Sequence, residues 1–246
     1  MIFRFMPSHA AIAGAAMTAV ATGMPHFAQA QDAAGGFYTS LRIGPSILQD
    51  MNFADRGTAD LSLDPATGFG VSGALGYRFA DSLRIEAELG YGRNDLDGTF
   101  QQNVQAFVPC GEIAGNPCLD PKVDGKIGAV SGFAMAYYDF PEVGRLRPYA
   151  GLGLGFVNVN LDVGARASMN DGVRSRFDII DGSDTVMAYR GMVGLAYELG
   201  AAAVTVGYGY TFTDRMSMPG RGPLVSFDFD RRFKAHALNV GVTYRF

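Results

Sequence analysis

The chain has 246 residues, of which 48% are hydrophobic and 18% are charged, and this is ordinary globular composition. Its formal net charge is −4 and it contains no block or stripe of Lys and Arg, which argues against nucleic acid as a partner. Gly is abundant at 33 residues. Because Gly costs stability inside a helix, the composition favours closely spaced strands over long helices.

Residues 1–30 have the features of an export signal. Arg4 precedes an uncharged stretch of small apolar residues at 10–21, and Ala28-Gln29-Ala30 provides a small-x-small cleavage site. The stretch is shorter than the roughly 18 to 20 apolar residues of a spanning helix, and Pro25 interrupts it, which argues against a membrane anchor. We therefore expect a signal peptide cleaved after Ala30 and a single exported domain at 31–246.

The remainder of the chain alternates apolar and small or polar side chains with a period of two, as strands do. In the segment 83–92, Leu83, Ile85 and Leu89 alternate with Glu86 and Glu88. The predicted strands are 37–47, 69–79, 83–92, 130–140, 149–158, 186–199, 204–212 and 233–246. Eight such segments predict an all-β fold.

The predicted connections alternate between long and short. Residues 49–67, 94–126, 159–184 and 213–232 are long, whereas 80–82, 141–147 and 200–203 are short. In membrane barrels short turns face the periplasm and long loops face outside. A narrow barrel leaves room inside for small residues and a few paired long ones, which fits the alternation of Gly151, Gly153 and Gly155 with apolar residues. The pattern predicts an eight-stranded antiparallel up-and-down transmembrane β-barrel with its apolar face towards lipid.

The C-terminal segment ends on an aromatic residue preceded by alternating apolar side chains. The alternating positions are Leu238, Val240, Val242, Tyr244 and Phe246. This pattern resembles the C-terminal signal by which bacterial outer-membrane barrels are handed to their assembly machinery. With Gly76-Tyr-Arg-Phe79, Arg84-Ile-Glu-Ala-Glu-Leu-Gly-Tyr91, Tyr137-Tyr-Asp-Phe140 and Arg147-Pro-Tyr-Ala-Gly-Leu-Gly, the chain resembles the opacity and OmpA-like family of outer-membrane β-barrels. The resemblance implies export through the periplasm, location in the Gram-negative outer membrane, and lipid and lipopolysaccharide as surroundings.

Several charged side chains are predicted to point into the lumen. They are Arg42, Arg78, Arg84, Glu86, Glu88, Arg190, Glu198 and Arg245. Charges in a narrow interior must pair, because an isolated one costs several kcal/mol. We expect a salt-bridged cluster that stabilises the barrel and closes it to solutes. The alternative is a gated conduit in which Glu86 or Glu88 exchanges partners with Arg190.

The two cysteines, Cys110 and Cys118, lie in the second long connection. A disulfide between them would stabilise the connection by roughly 2 to 3 kcal/mol. Two cysteines without a nearby His leave a zinc coordination sphere incomplete, so we predict a disulfide and neither a metal site nor a cofactor. Acidic residues at 60–64 and 181–184 would bind calcium loosely at most.

His236 is the single histidine of residues 31–246, so a hydrolase site would have to include it. Outer-membrane lipid A deacylases place His and Ser two apart on a strand, and here Leu238 holds that position. We therefore expect no enzyme. The predicted function is a structural or surface-interaction protein whose long extracellular loops contact a ligand, and not a general porin. A narrow gated channel or small-solute conduit is the alternative.

Overall fold

The computed structural model describes residues 35–49, 51–55, 59–80, 82–100, 119–168, 174–221 and 226–246. Within these ranges there are ten strands and no helix. None of the described residues therefore belongs to a helix long and apolar enough to cross a membrane. The strands are β1 (Gly36–Leu48), β2 (Met51–Asp55), β3 (Ala59–Pro65), β4 (Gly68–Ala80), β5 (Leu83–Phe100), β6 (Leu119–Asp139), β7 (Leu146–Ser168), β8 (Arg174–Leu199), β9 (Ala202–Arg221) and β10 (Ser226–Arg245).

Eight of these strands close into an antiparallel barrel. β1 pairs with β4 on one side and with β10 on the other, and the order continues from β4 through β5, β6, β7, β8 and β9 to β10. The pairing of β5 with β6 completes the circle. β2 and β3 form a hairpin that joins the far end of β5, where Leu61 is opposite Phe100. The predicted eight-stranded barrel is confirmed.

The outer face of the barrel carries a broad apolar belt. Leu89 is 70% exposed and Leu152 is 75% exposed, whereas Glu88 beside Leu89 is buried. Exposed apolar residues of this size and number are typical of a surface in contact with lipid, since water would disfavour so large a patch. The belt includes Phe37, Leu41, Ile43, Leu75, Phe79, Leu89, Leu152, Leu154, Phe156, Val193, Leu195, Val206, Leu238, Val240 and Val242.

The strands extend well beyond the predicted segments, so the predicted extents of the long connections were wrong. β6 begins at Leu119 instead of 130, β8 begins at Arg174 instead of 186, and β2 and β3 lie within the predicted connection 49–67. Beyond the apolar belt the period of two continues with different side chains. On β7 the inward residues are still apolar, whereas the outward ones, including Asn158 and Asp162, become polar. A strand prediction that relies on apolar outward residues stops at the edge of the apolar belt, although the strand itself continues.

The short connections all lie at one end of the barrel. β8 and β9 are joined by Gly200 and Ala201, and Gly200 has the positive φ of +80° that tight hairpin turns use. Gly144, with φ +69°, has the same role between β6 and β7. These connections match the predicted short turns. The predicted signal peptide and the two cysteines lie outside the described residues.

Candidate functional site

The interior near the short-turn end contains a layer of buried tyrosines. Tyr38, Tyr137 and Tyr149 project inwards from β1, β6 and β7, and the rings of Tyr137 and Tyr149 meet edge to face with centroids 5.8 Å apart. Inward glycines make space for these rings: a Cβ on Gly76 would collide with Tyr38, and one on Gly151 would collide with Tyr137. The glycines at alternate positions therefore leave the space that the aromatic layer occupies.

Charged side chains occupy the level above the tyrosines. Arg42 donates from Nη1 to Glu88 Oε2 at 2.7 Å and from Nη2 to Glu86 Oε2 at 2.6 Å. Arg84 Nη1 donates to Glu86 Oε1 at 2.8 Å, and the Tyr38 hydroxyl donates to the same oxygen at 2.9 Å. The side chains of Glu86 and Glu88 are 0% and 1% exposed. These carboxylates are therefore fully enclosed by their partners.

Arg190 reaches the same cluster from the opposite wall. Its Nη1 donates to Glu88 Oε1, and its Nε donates to the Thr211 hydroxyl on β9 at 2.9 Å. The guanidinium lies over the Phe133 ring, with Cζ 3.9 Å from the centroid, a geometry that favours a cation–π interaction. Of the two carboxylates considered as partners for Arg190, the structure pairs it with Glu88.

Further ion pairs lie at the short-turn end. Arg84 Nε donates to Asp139 Oδ1 at 3.0 Å, and Arg78 Nη2 lies 3.2 Å from Asp139 Oδ2. Glu198 lies between two arginines, with Arg245 Nη2 at 2.6 Å and Arg147 Nε at 3.4 Å. All eight predicted lumenal charges are thus in ion pairs. We refer to these eight residues together with Asp139 and Arg147 as the arginine–carboxylate network.

Asp139, Arg147 and the tyrosine layer were missed by the sequence analysis. Asp139 is in phase with Tyr137 on β6, but the sequence analysis used it only as part of the motif Tyr137-Tyr-Asp-Phe140. Arg147 was assigned to a turn, whereas β7 begins at Leu146 and Arg147 is in phase with Tyr149. Gly151 faces the lumen, so extending the period of two from it towards lower residue numbers would have predicted that Tyr149 and Arg147 face the lumen as well.

A cavity of about 120 Å³ lies above the network, on the side away from the short turns. Arg42, Glu88 and Arg190 line it, together with apolar residues and with hydroxyl and amide side chains. The apolar lining includes Leu48, Ile127, Val157 and Phe233, and the polar lining includes Ser46, Ser72, Ser131, Thr211, Asn94 and Asn239. Farther along β5, β7 and β9, Leu96, Leu161 and Met216 are buried. The cavity is thus bounded by charge on one side and by apolar side chains on the other.

His236 lies on the outward face of β10, away from the network. Its Nδ1 is 2.6 Å from the Tyr208 hydroxyl and its Nε2 is 3.1 Å from Gln49 Nε2. Neither of these partners is a carboxylate, so they do not form a Ser-His-Asp arrangement. The residues of the predicted assembly signal, Leu238 to Phe246 on alternate positions, are all outward and exposed.

Comparisons with known proteins agree with this architecture. The family model for the outer membrane protein beta-barrel domain matches residues 13–246. An uncharacterized protein of Brucella abortus (strain 2308) is 30% identical over 208 residues, which are 76% of this chain and 71% of the relative. An uncharacterized protein of Brucella melitensis biotype 1 has the same identity and coverage.

Among solved structures, OprG from Pseudomonas aeruginosa is 15% identical, with a TM-score of 0.49, covering 86% of this chain and 96% of that one. Neisserial surface protein A is 18% identical, with a TM-score of 0.48, covering 87% of this chain and 100% of that one. The family model spans nearly the whole chain, and the structure shows a closed barrel with a lipid-facing belt. The chain therefore belongs to the outer membrane protein beta-barrel domain family and is located in the Gram-negative outer membrane.

Proposed function

We propose that the protein is a closed outer-membrane anchor that presents its extracellular strand extensions and their connections to ligands outside the cell. The arginine–carboxylate network carries this proposal, because its buried ion pairs join strands on different sides of the barrel across the interior. Glu86 links β5 to Arg42 on β1, and Glu88 links β5 to Arg190 on β8. A solute larger than water would have to break several of these pairs to pass.

The energetics of such a passage favour a closed lumen. Removing one partner from a buried ion pair costs about 3 to 5 kcal/mol, because the other charge is left uncompensated. A rearrangement costing about 4 kcal/mol leaves roughly one open barrel in a thousand, since 1.4 kcal/mol is a factor of ten. This occupancy is too low for a general porin and argues for a function outside the lumen.

The strand extensions provide the surface for that function. β6, β7 and β8 contain 21, 23 and 26 residues, whereas roughly 9 to 11 suffice to cross a membrane. On β7 the outward side chains change from Leu154 and Phe156 to Asn158 and Asn160, which marks the boundary of the lipid. Residues beyond this boundary are held by paired strands and meet the extracellular medium, where binding function is usually located.

The test is single-channel conductance of the refolded protein in a planar bilayer, with Glu86→Ala and Glu88→Ala variants alongside. Asp214→Ala is the matched control, because Asp214 is an exposed acid on the outer face of β9. We expect the unmodified protein and the control to show no openings. Steady openings of the unmodified protein that change with either glutamate substitution would contradict the closed anchor.

A narrow gated conduit is the second candidate, and one observation favours it. Glu88 accepts hydrogen bonds from Arg42 and Arg190 on opposite walls, and the cavity lies beside all three residues. A change of partners at Glu88 would alter the network without exposing an unpaired carboxylate. Voltage-dependent openings that Glu88→Ala makes permanent would support the conduit, and their absence would leave the closed anchor.

A further inference from the structure

The charges of the network do not balance. Among the described residues, the six arginines of the network pair with five carboxylates, because Glu142 in the exposed turn before β7 also contacts Arg147. The whole chain, in contrast, has a net charge of −4. An excess of positive charge inside a narrow barrel is unfavourable unless an anion accompanies it, because the surroundings of low polarity strengthen repulsion between like charges.

The excess follows from the order of the ion pairs. They form one continuous series in which each carboxylate lies between two arginines, and it runs Arg78, Asp139, Arg84, Glu86, Arg42, Glu88, Arg190. The series begins and ends with arginine. Arg190, its last member, has a single carboxylate partner among the described residues, and that partner is shared with Arg42. The place for a further carboxylate is therefore beside Arg190.

The cavity lies at this end of the series. Its polar lining supplies hydroxyl donors from Ser72, Ser131 and Thr211, and an amide from Asn239. A volume of about 120 Å³ accommodates several water molecules or one small organic anion. Leu48 and Phe233 add apolar surface against which a short hydrocarbon tail would pack.

The ladder between β8 and β9 is interrupted beyond the cavity lining, on the side away from the short turns. The ladder between β8 and β9 is continuous up to the pair Ala188–Thr213 and resumes at Ile180–Gly220. Between these pairs the described residues of the two strands form no ladder, and Asp184 Oδ2 accepts a hydrogen bond from Ser217 N across the interval. The interruption begins two residues beyond Arg190 and Thr211, and outward side chains there, such as Thr185 and Asp214, are polar and exposed.

We propose that the cavity binds a small organic monocarboxylate, with the Arg190 guanidinium as its principal partner and Arg42 as the second. The carboxylate ends the series of alternating charges, and the short tail packs on the apolar part of the lining. Binding here leaves the network below the cavity in place. The site is therefore compatible with a lumen closed to through-flow.

The test uses [13C]propionate and the refolded protein in detergent micelles, with binding followed by NMR line broadening. Propionamide is the uncharged comparison molecule, because it has a similar size and shape but no charge. Arg190→Gln is expected to weaken propionate binding at least tenfold. Arg93→Gln is the control, since Arg93 is an exposed arginine on the outward face of β5, and it is expected to leave binding unchanged.

Two further variants test whether propionate binding becomes tighter or weaker as the structure predicts. Glu88→Gln removes the carboxylate that competes for Arg190, so propionate should bind more tightly than to the unmodified protein. Thr211→Val keeps every charge and removes one hydrogen bond to Arg190, so it should weaken binding slightly. Equal binding of propionate and propionamide, no binding of propionate, or equal affinity in Arg190→Gln and the unmodified protein would each overturn the proposal and indicate a cavity that holds water alone.

Discussion

Gly151 shows how the absence of one side chain makes room for a buried tyrosine inside the barrel. The Tyr137 ring lies where a Cβ on Gly151 would be, so the aromatic layer depends on the absence of a side chain on β7. We predict that Gly151→Ala lowers the free energy of unfolding by about 1 to 3 kcal/mol, because the ring or the strand must move. Urea unfolding in lipid vesicles measures this change.

Gly132→Ala is the control for this prediction. Gly132 is on the outward face of β6, and a Cβ there would meet Leu89 Cδ2 at an ordinary 3.6 Å. We expect a change within about 0.5 kcal/mol. Equal effects of the two substitutions would show that glycine at position 151 is not required by the tyrosine layer.

Glu86 is the most heavily used carboxylate of the network, because it accepts hydrogen bonds from Arg42, Arg84 and Tyr38. Glu86→Ala should lower the free energy of unfolding by about 3 to 5 kcal/mol, since it leaves two buried arginines without this partner. Asp214→Ala, at an exposed position, should change it by less than about 0.5 kcal/mol. A Glu86→Ala barrel as stable as the control in urea titration would show that the network contributes little to stability.

The sequence indicated which charged residues face inwards, because period-two alternation is enough to sort them by face. It could not indicate their partners, since Arg42 and Glu88 lie 46 residues apart and Arg190 and Glu88 lie 102 apart. Those pairings depend on strand register and on barrel closure. Asp139 and Arg147 were missed because each lies at a strand end, where the alternation is shortest. The disulfide between Cys110 and Cys118 stays a prediction.

At the level of elements, alternation located all eight barrel strands but not their full lengths. Beyond the apolar belt the outer face becomes polar and the inner face becomes apolar, as Asp162 and Leu161 on β7 illustrate. The contrast between the faces therefore reverses in sense without any change of secondary structure. A prediction that looks for apolar residues on the outward face therefore assigns these strand extensions to connections.

The interruption between β8 and β9 should be visible in hydrogen exchange. Backbone amides of residues 181–187 that point towards β9 lack ladder partners there, so they should exchange faster than the paired amides of 189–197. The Ser217 amide is the internal control, because it donates to Asp184 and should be protected. Uniform protection along β8, measured by NMR in micelles, would contradict an interrupted wall.

β10 carries the alternating apolar residues that resemble the assembly signal, and they are exposed on its outward face. We predict that Phe246→Ala reduces the amount of barrel in the outer membrane several-fold, because the terminal aromatic is part of that pattern. Quantitative immunoblotting of membrane fractions measures it. Val143→Ala, which alters an exposed apolar residue between β6 and β7, is the control and should leave the amount unchanged.

For the whole molecule, the fold could be predicted because an even number of alternating segments with no helix leaves closure as the way to satisfy every edge. For the interior, the sequence predicted that charged residues would pair, but not which residues pair or that a cavity lies beside them. Its cavity and its surplus of arginine arise from side chains on β1, β5 and β8 that meet because the barrel closes with this register. No local pattern in the sequence contains that information.

The length of β8 sets how far the barrel extends beyond its apolar belt. At about 3.3 Å per residue its 26 residues extend about 86 Å along the strand, or roughly 60 Å along the barrel axis at the usual tilt, against an apolar band about 25 Å tall. The remainder continues past that band as a strand that stays paired with β7. Because this pairing fixes the backbone in advance, a partner that bound the extension would cost the protein little conformational entropy, and contact would take place away from the apolar band.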